Sequence, residues 1–108
     1  MKDKLSKKYI PMSETAFYIL FFLQEPQHGY RIGQKVEKIS NGEVNIGAGT
    51  MYGTLSKMQE DGLIRFLEKE DNRKLYKITD LGQEILDIEI KRIDRLYKNS
   101  RGEKYHGW

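Results

Sequence analysis

The stretch Gly49-Thr50-Met51-Tyr52-Gly53-Thr54-Leu55, running on to Asp61-Gly62, constrains the fold more than any other part of the chain. Met51, Leu55 and Met58 recur at i, i+4 and i+7, which lays one buried stripe along a helix of about four turns. Glu60, Asp61 and Gly62 supply its last turn and its stop. The opposite face carries Gly49, Thr50, Gly53, Ser56 and Lys57. A helix that only roofs a core turns bulky Lys, Glu and Arg outward. A helix that presses its backbone into a groove needs small residues on that side. A glycine-containing link from Asn41-Gly42 to Gly47 precedes this helix, and Leu63-Ile64-Arg65-Phe66-Leu67 follows it as a strand.

Ser13 caps a helix to about Gln24, with Glu14 at its positive end. Its interior, Ala16 to Leu23, is apolar nearly all round, so it needs cover on more than one side. Glu25-Pro26 ends it. Gln27-His28-Gly29-Tyr30 opens a second helix, whose inward stripe is Ile32, Val36 and Ile39, and Ser40-Asn41-Gly42 closes it. His28 has no neighbour to activate it and is read as a capping or packing residue. Past Gly62 the period changes to two: Ile64 and Phe66 share a face, as do Tyr76 and Ile78, with Lys69-Glu70-Asp71-Asn72 as the hairpin tip between them. Helix, turn, small-faced helix and hairpin make a winged helix-turn-helix, a mainly α fold with a small β-wing.

From Thr79-Asp80 a last helix runs to about Asn99. Leu86, Ile90, Ile93 and Tyr97 repeat as in a coiled-coil seam, and Leu81, Ile85, Ile88 and Leu96 form a second strip. Two strips imply two neighbours, the helix's own domain and a second subunit. Acidic residues come first along it and basic ones later, which complements the helix dipole. The expected organisation is therefore a winged helix-turn-helix domain over residues 1–79, a C-terminal dimerisation helix over 80–100 and a tail over 101–108. The Tyr105–Trp108 end carries no pattern. Residues 1–11, with Lys2, Lys4, Lys7 and Lys8 against Asp3, form a basic lead-in. Its form is either a frayed arm or an extra helical turn, and it reads as a solvated segment, with phosphate contact as the alternative.

Composition closes off other classes. A chain of 108 residues holds one domain with a small core. It has no cysteine, which excludes disulfides and thiolate zinc sites, and its two histidines, His28 and His106, are too few for a metal cluster. No metal site or cofactor is expected. The apolar run Ala16–Leu23 is far short of the ~18 residues of a membrane span. The N-terminus lacks the apolar segment of a signal peptide, so a cytoplasmic location is expected. No nucleophile–base pair or carboxylate pair is visible, and Gly47-Ala48-Gly49-Thr50 lacks the Gly-Lys-Ser/Thr end of a phosphate loop, so no catalytic residue is assigned. The net charge is only +3, and its distribution says more than its size: Arg73, Lys74 and Lys77 stand just past the wing tip.

These motifs together resemble one family. His28-Gly29-Tyr30, then Gly49 to Leu55, then Asp61-Gly62-Leu63-Ile64, then Arg73-Lys74-Leu75-Tyr76-Lys77-Ile78-Thr79-Asp80-Leu81-Gly82 are similar, in order and spacing over residues 12–98, to the PadR family of bacterial transcriptional regulators. The length resembles the short subfamily with a single C-terminal dimerisation helix. The resemblance implies a homodimer that represses a neighbouring gene or operon by binding double-stranded operator DNA, which the two-fold symmetry makes pseudo-palindromic. The Gly49–Gly62 helix would be the recognition helix and residues 63–78 the wing. Thr50, Tyr52, Gly53, Thr54, Lys57, Arg73 and Lys74 are the expected DNA contacts. Phe17, Phe21, Leu86, Ile90, Ile93 and Tyr97 are the expected dimer interface. Some short members bind flat aromatic drugs at the dimer centre, which places a candidate small-molecule effector pocket at Phe17, Phe21, Ile93 and Tyr97. Those members stack the drug on a tryptophan where this chain has Ile93. A second departure is Ala48, where the family often has proline. The alternative function is a winged-helix protein-interaction module that does not touch DNA; the low net charge and the acidic wing tip speak for it.

Overall fold

The computed structural model describes residues 2–107. It contains, in order, α1 (Lys2–Tyr9), α2 (Glu14–Phe22), α3 (Gly29–Ile39), α4 (Ala48–Glu60), β1 (Ile64–Glu70), β2 (Arg73–Ile78) and α5 (Asp80–Ser100). Local chemistry sets most of these boundaries. The Ala16 amide donates to Ser13 Oγ at 3.1 Å, which fixes the start of α2. Thr79 does the same for α5, accepting from the Gly82 amide at 3.0 Å. The Thr79 hydroxyl also donates to the Gly62 carbonyl at 2.6 Å, which ties the start of α5 to the end of α4. Helix α4 ends in a Schellman motif: Gly62 takes φ +80°, its amide donates to Gln59 at 3.1 Å, and the Leu63 amide donates to Met58 at 2.9 Å.

The stripe Met51, Leu55 and Met58 is buried, as the spacing requires, against Ile19, Leu20, Leu23, Ile32 and Val36. Helices α3 and α4 are the helix-turn-helix, and α2 backs them. The two strands pair antiparallel, with Ile64 opposite Ile78 and Phe66 opposite Tyr76. Their turn is two residues, Asp71 and Asn72, both at positive φ (50° and 66°). That conformation matches the right-handed twist of the strands, and Asp and Asn tolerate it well. The wing is also fastened at its root. Gln27 and Tyr76 exchange backbone hydrogen bonds of 3.0 and 2.9 Å, and the Ile78 amide donates to the Leu23 carbonyl at 2.7 Å.

Several expectations need correction. The basic lead-in is not a solvated tail: it takes the helical form, over residues 2–9, and Leu5 is buried in the core. A carboxylate docks its end, since Lys8 Nζ lies 2.9 Å from Asp61 and the Tyr9 hydroxyl donates to Asp61 at 2.7 Å. Ile39 is not part of the inward stripe but 57% exposed at the end of α3, one turn past the buried Val36. The hairpin tip is Asp71-Asn72, with Lys69 and Glu70 still in β1. Ile64 and Phe66 do share a face, opposite Ile78 and Tyr76, but only Ile64 is buried, while Phe66 is exposed and packs edge-on against Tyr76. The ladder is irregular between Phe66 and Glu68.

The two strips of α5 are also regrouped. Ile85 and Leu86 are both fully buried in the chain's own core, whereas Ile88, Ile93, Leu96 and Tyr97 are exposed. The helix is covered along its first half and bare along its second. Tyr105 is half-buried, with Lys98 Nζ 5.7 Å from its ring centroid; Trp108 lies outside the described residues.

Candidate nucleic-acid interface

Helix α4 is brought close to α3 by Gly29. A Cβ there would stand 2.8 Å from Tyr52 Cε1 and 3.1 Å from Leu55 Cδ1, so the first turn of α3 passes the first turn of α4 with no room for a side chain. The contact holds the Tyr52 ring against α3 and turns the small face of α4 outward. Thr50, Tyr52, Gly53, Ser56 and Lys57 are exposed. A Cβ built at Gly49 or Gly53 meets nothing within 4 Å, so the face is open as well as small. Thr54 is half-buried, turned toward a cleft it shares with Lys8, Tyr9, Ser13 and Lys57. Gly47 caps α4 without a side chain, which leaves the positive end of the helix open beside Thr50. Ala48 is the first helical residue, the position that suits proline because its amide is unpaired in any case.

The wing follows α4, with β1 packed against that helix, and its tip lies beside the start of α3. Lys74 is exposed and lies directly across the ladder from Lys69. Two like charges so placed repel, so this pair adds positive potential at some cost to the hairpin. Arg73 is exposed and opposite Glu70, yet its guanidinium sits over the Tyr30 ring, with Cζ 4.8 Å from the centroid. Glu70 meets His28 instead, at a long 3.5 Å from Nε2. The tip therefore meets both His28 and Tyr30 at the start of α3, in one cleft.

At the other end of α4, Lys8 and then Tyr9 hydrogen-bond the Asp61 carboxylate and hold it below the usual carboxylate range. Burial, and then the bond to Asp61, pushes the Tyr9 hydroxyl well up. These contacts fix α1 beside the Gly53–Lys57 side of α4.

The structure separates the expected interface residues into groups. Phe17 and Phe21 are half-buried on α2 with their rings stacked 5.8 Å apart. Ile90 is half-buried on α5, and Ile93 and Tyr97 are 38% and 58% exposed. Leu86 has no surface left for a partner. The sequence reading missed Tyr30, the contact of His28 with the wing, and the Lys8–Tyr9–Asp61 cluster. No local signal marks these, because each joins residues far apart in the chain. Among the described residues, no helix is long and apolar enough to cross a membrane.

A helix-turn-helix with an open, small-faced second helix and a braced β-hairpin defines a winged-helix protein. Residues 19–88 match the transcriptional regulator PadR-like family, and the chain belongs to that family. It is 25% identical over 91 residues, 83% of its length, to the transcriptional regulator YqjI of Escherichia coli K12. The chain spans only 20% and 44% of the lengths of the curated relatives it matches. Its structure resembles a PadR-like transcriptional regulator of Bacillus cereus, with TM-score 0.70 at 27% identity over 82% of this chain and 88% of that one. It also shares its fold with Bacillus subtilis PadR in complex with operator DNA, with TM-score 0.65 at 22% identity over 72% of this chain and 47% of that one.

Proposed function

We propose that the chain works as a homodimer that represses a neighbouring gene or operon by binding a pseudo-palindromic operator, as a cytoplasmic regulator and not an enzyme. The observation that carries this reading is the outer face of α4: Thr50, Gly53, Ser56 and Lys57 are exposed, and nothing stands over either of its glycines. An α-helix of this kind fits the major groove, where side chains in its first turns reach base edges. Lys57, Arg73 and Lys74 stand where phosphates would run. The operator complex of Bacillus subtilis PadR supports the same use of a shared fold. The bare second half of α5 supports the dimer, in which two recognition helices would meet half-sites about 34–36 Å apart, or a multiple of that.

Footprinting on the gene's own upstream region, with binding repeated across salt concentrations, tests the proposal. A protected pseudo-palindrome and affinity that falls steeply with salt are expected. Binding that is absent, or indifferent to sequence, would favour the protein-interaction reading, for which the net charge of only +3 speaks. A small-molecule inducer is a further element of the proposal, seated at the dimer axis among Phe17, Phe21, Ile93 and Tyr97.

A further inference from the structure

We propose that Tyr30 is a positioning residue for the wing, its ring holding the Arg73 guanidinium ready for a DNA phosphate. The inference rests on the DNA-binding reading above. Tyr30 is 55% exposed on the first turn of α3, so the core does not explain it. It lines two clefts at once. One lies against α4, with Ala48, Met51 and Tyr52; the other lies against the wing, with Glu70 and Arg73. Tyr30 thus stands between the two elements expected to touch DNA.

The Arg73 side chain has another option close by and does not use it. Glu70 is its cross-strand partner, but among the described residues Arg73 makes no ion pair and no side-chain hydrogen bond. Its Cζ lies 4.8 Å from the Tyr30 centroid, inside cation–π range. Glu70 lies instead 3.5 Å from His28 Nε2, in the same cleft. A guanidinium stacked on a ring spends its flat face, and its N–H donors around the edge stay free. Those edge donors are what a phosphate takes, in bidentate geometry. The stack is also braced by backbone. The Gln27–Tyr76 pair fixes the wing to the segment that leads into Tyr30. Holding a long side chain in its bound geometry beforehand removes an ordering cost from binding.

The test uses the full chain and an operator duplex from its own upstream region, with Tyr30→Ala, Tyr30→Phe, Arg73→Ala and the Tyr30→Ala/Arg73→Ala double variant. Tyr30→Ala is expected to weaken operator binding about two- to fivefold, the 0.5–1 kcal/mol of an exposed cation–π contact at 1.4 kcal/mol per tenfold. Tyr30→Phe keeps the ring and restores the affinity. In the Arg73→Ala background Tyr30→Ala has no further effect. Additive losses, or a Tyr30→Phe as weak as Tyr30→Ala, would mean that Tyr30 contacts DNA by itself and would overturn the assignment. The stack can be read without DNA: the Arg73 side-chain protons should be ring-current shifted upfield in the wild type and in Tyr30→Phe, but not in Tyr30→Ala. No shift in the wild type overturns the stack. A shifted Arg73 in a chain that binds no DNA overturns the DNA reading, and with it this role, while leaving the stack in place.

Discussion

Glu89 and Arg92 form a two-pronged ion pair one turn apart on α5, with Nε–Oε1 at 2.6 Å and Nη2–Oε2 at 2.9 Å. The carboxylate is 1% exposed, while the guanidinium reaches solvent. The Met12 amide, from the segment that leads into α2, donates to the same carboxylate at 3.2 Å. Glu89 therefore closes the covered half of α5 and pins the α1–α2 connection to it. The pair also pushes the Arg92 guanidinium pKa further up. Glu89→Ala would leave the Met12 amide without a partner, while Arg92 could turn to water. The expected cost is about 1–3 kcal/mol, less than the loss of one member of a wholly buried pair. Glu89→Gln keeps an acceptor and should cost less. Urea midpoints at unchanged slope measure both, and an Ala variant as stable as the wild type would refute the pinning.

Acid should loosen α1 first. The Asp61 carboxyl is held low by Lys8 and then Tyr9, so its folded pKa lies below the unfolded value of about 3.9. Its contribution is therefore present above about pH 4 and is lost as pH falls through the folded pKa. The Tyr9 hydroxyl shifts the other way. Its contribution is complete below about pH 10 and is lost as pH rises through its raised pKa. Stability measured from pH 2.5 to 6 should fall less steeply for Asp61→Asn than for the wild type. Parallel curves would show that the carboxylate is not coupled to folding.

Gly53 separates DNA contact from folding. A Cβ there meets nothing within 4 Å, and replacing an exposed helical glycine with alanine should add about 0.5–1 kcal/mol of stability. Gly53→Glu should fold as well as the wild type and lose specific operator binding, since it sets bulk and negative charge where the groove wall would press. Retained affinity would mean that another face of α4 is used. Arg73→Ala should flatten the logarithmic salt dependence by about one unit; an unchanged slope would remove Arg73 from the phosphate contacts.

What the sequence made legible follows from the range of each interaction. Met51, Leu55 and Met58 lie within two turns of one helix, and Ser13, Thr79 and Gly62 act on backbone a few residues away, so spacing alone finds them. The wing is readable by its period, but the irregularity between Phe66 and Glu68 is not, and neither is the exposure of Phe66 on the face it shares with Ile64. Helix α1 offers only Leu5 and, at its end, Tyr9 amid lysines. It is helical because Leu5 and Asp61 dock it, and short polar sequences do not report such help. The seam on α5 is a periodic pattern that cannot say where the chain's own core ends. Leu86 and Ile93 carry the same signal, and only packing tells them apart. Tyr30 and Arg73 belong to different elements and meet through the backbone joint at Gln27 and Tyr76.

That division of α5 sharpens the expectation of a dimer. Truncating the chain after Gln83 would remove Ile85, Leu86 and Glu89 from the core, so it would unfold a monomer and a dimer alike. Leu96→Glu and Tyr97→Glu act beyond the chain's own core, on residues that are 53% and 58% exposed. Either change should yield a folded monomer in sedimentation at micromolar concentration, where the unaltered chain sediments as a dimer. Dimeric variants, or a monomeric wild type, would place the interface elsewhere.

Ile93 decides what a pocket at the dimer axis can hold. Its side chain is 38% exposed in the single subunit, on the part of α5 that a partner would cover. Family resemblance puts a drug-stacking tryptophan at this position in some short members, and isoleucine offers no π-face. Aromatic stacking is worth about 0.5–1.5 kcal/mol per pair beyond the area buried. An axis site has two such positions, so the loss is one to two orders of magnitude in affinity, taking about 1.4 kcal/mol per tenfold. The native chain should therefore bind planar cationic dyes weakly or not at all, and Ile93→Trp should bind them at least tenfold tighter. Fluorescence titration reads both, and the Gly53→Glu variant, altered only on the opposite functional surface, should behave as the native chain does. Submicromolar dye binding by the native chain would show that other residues, with Phe17, Phe21 and Tyr97 the first to examine, already supply the stacking surface.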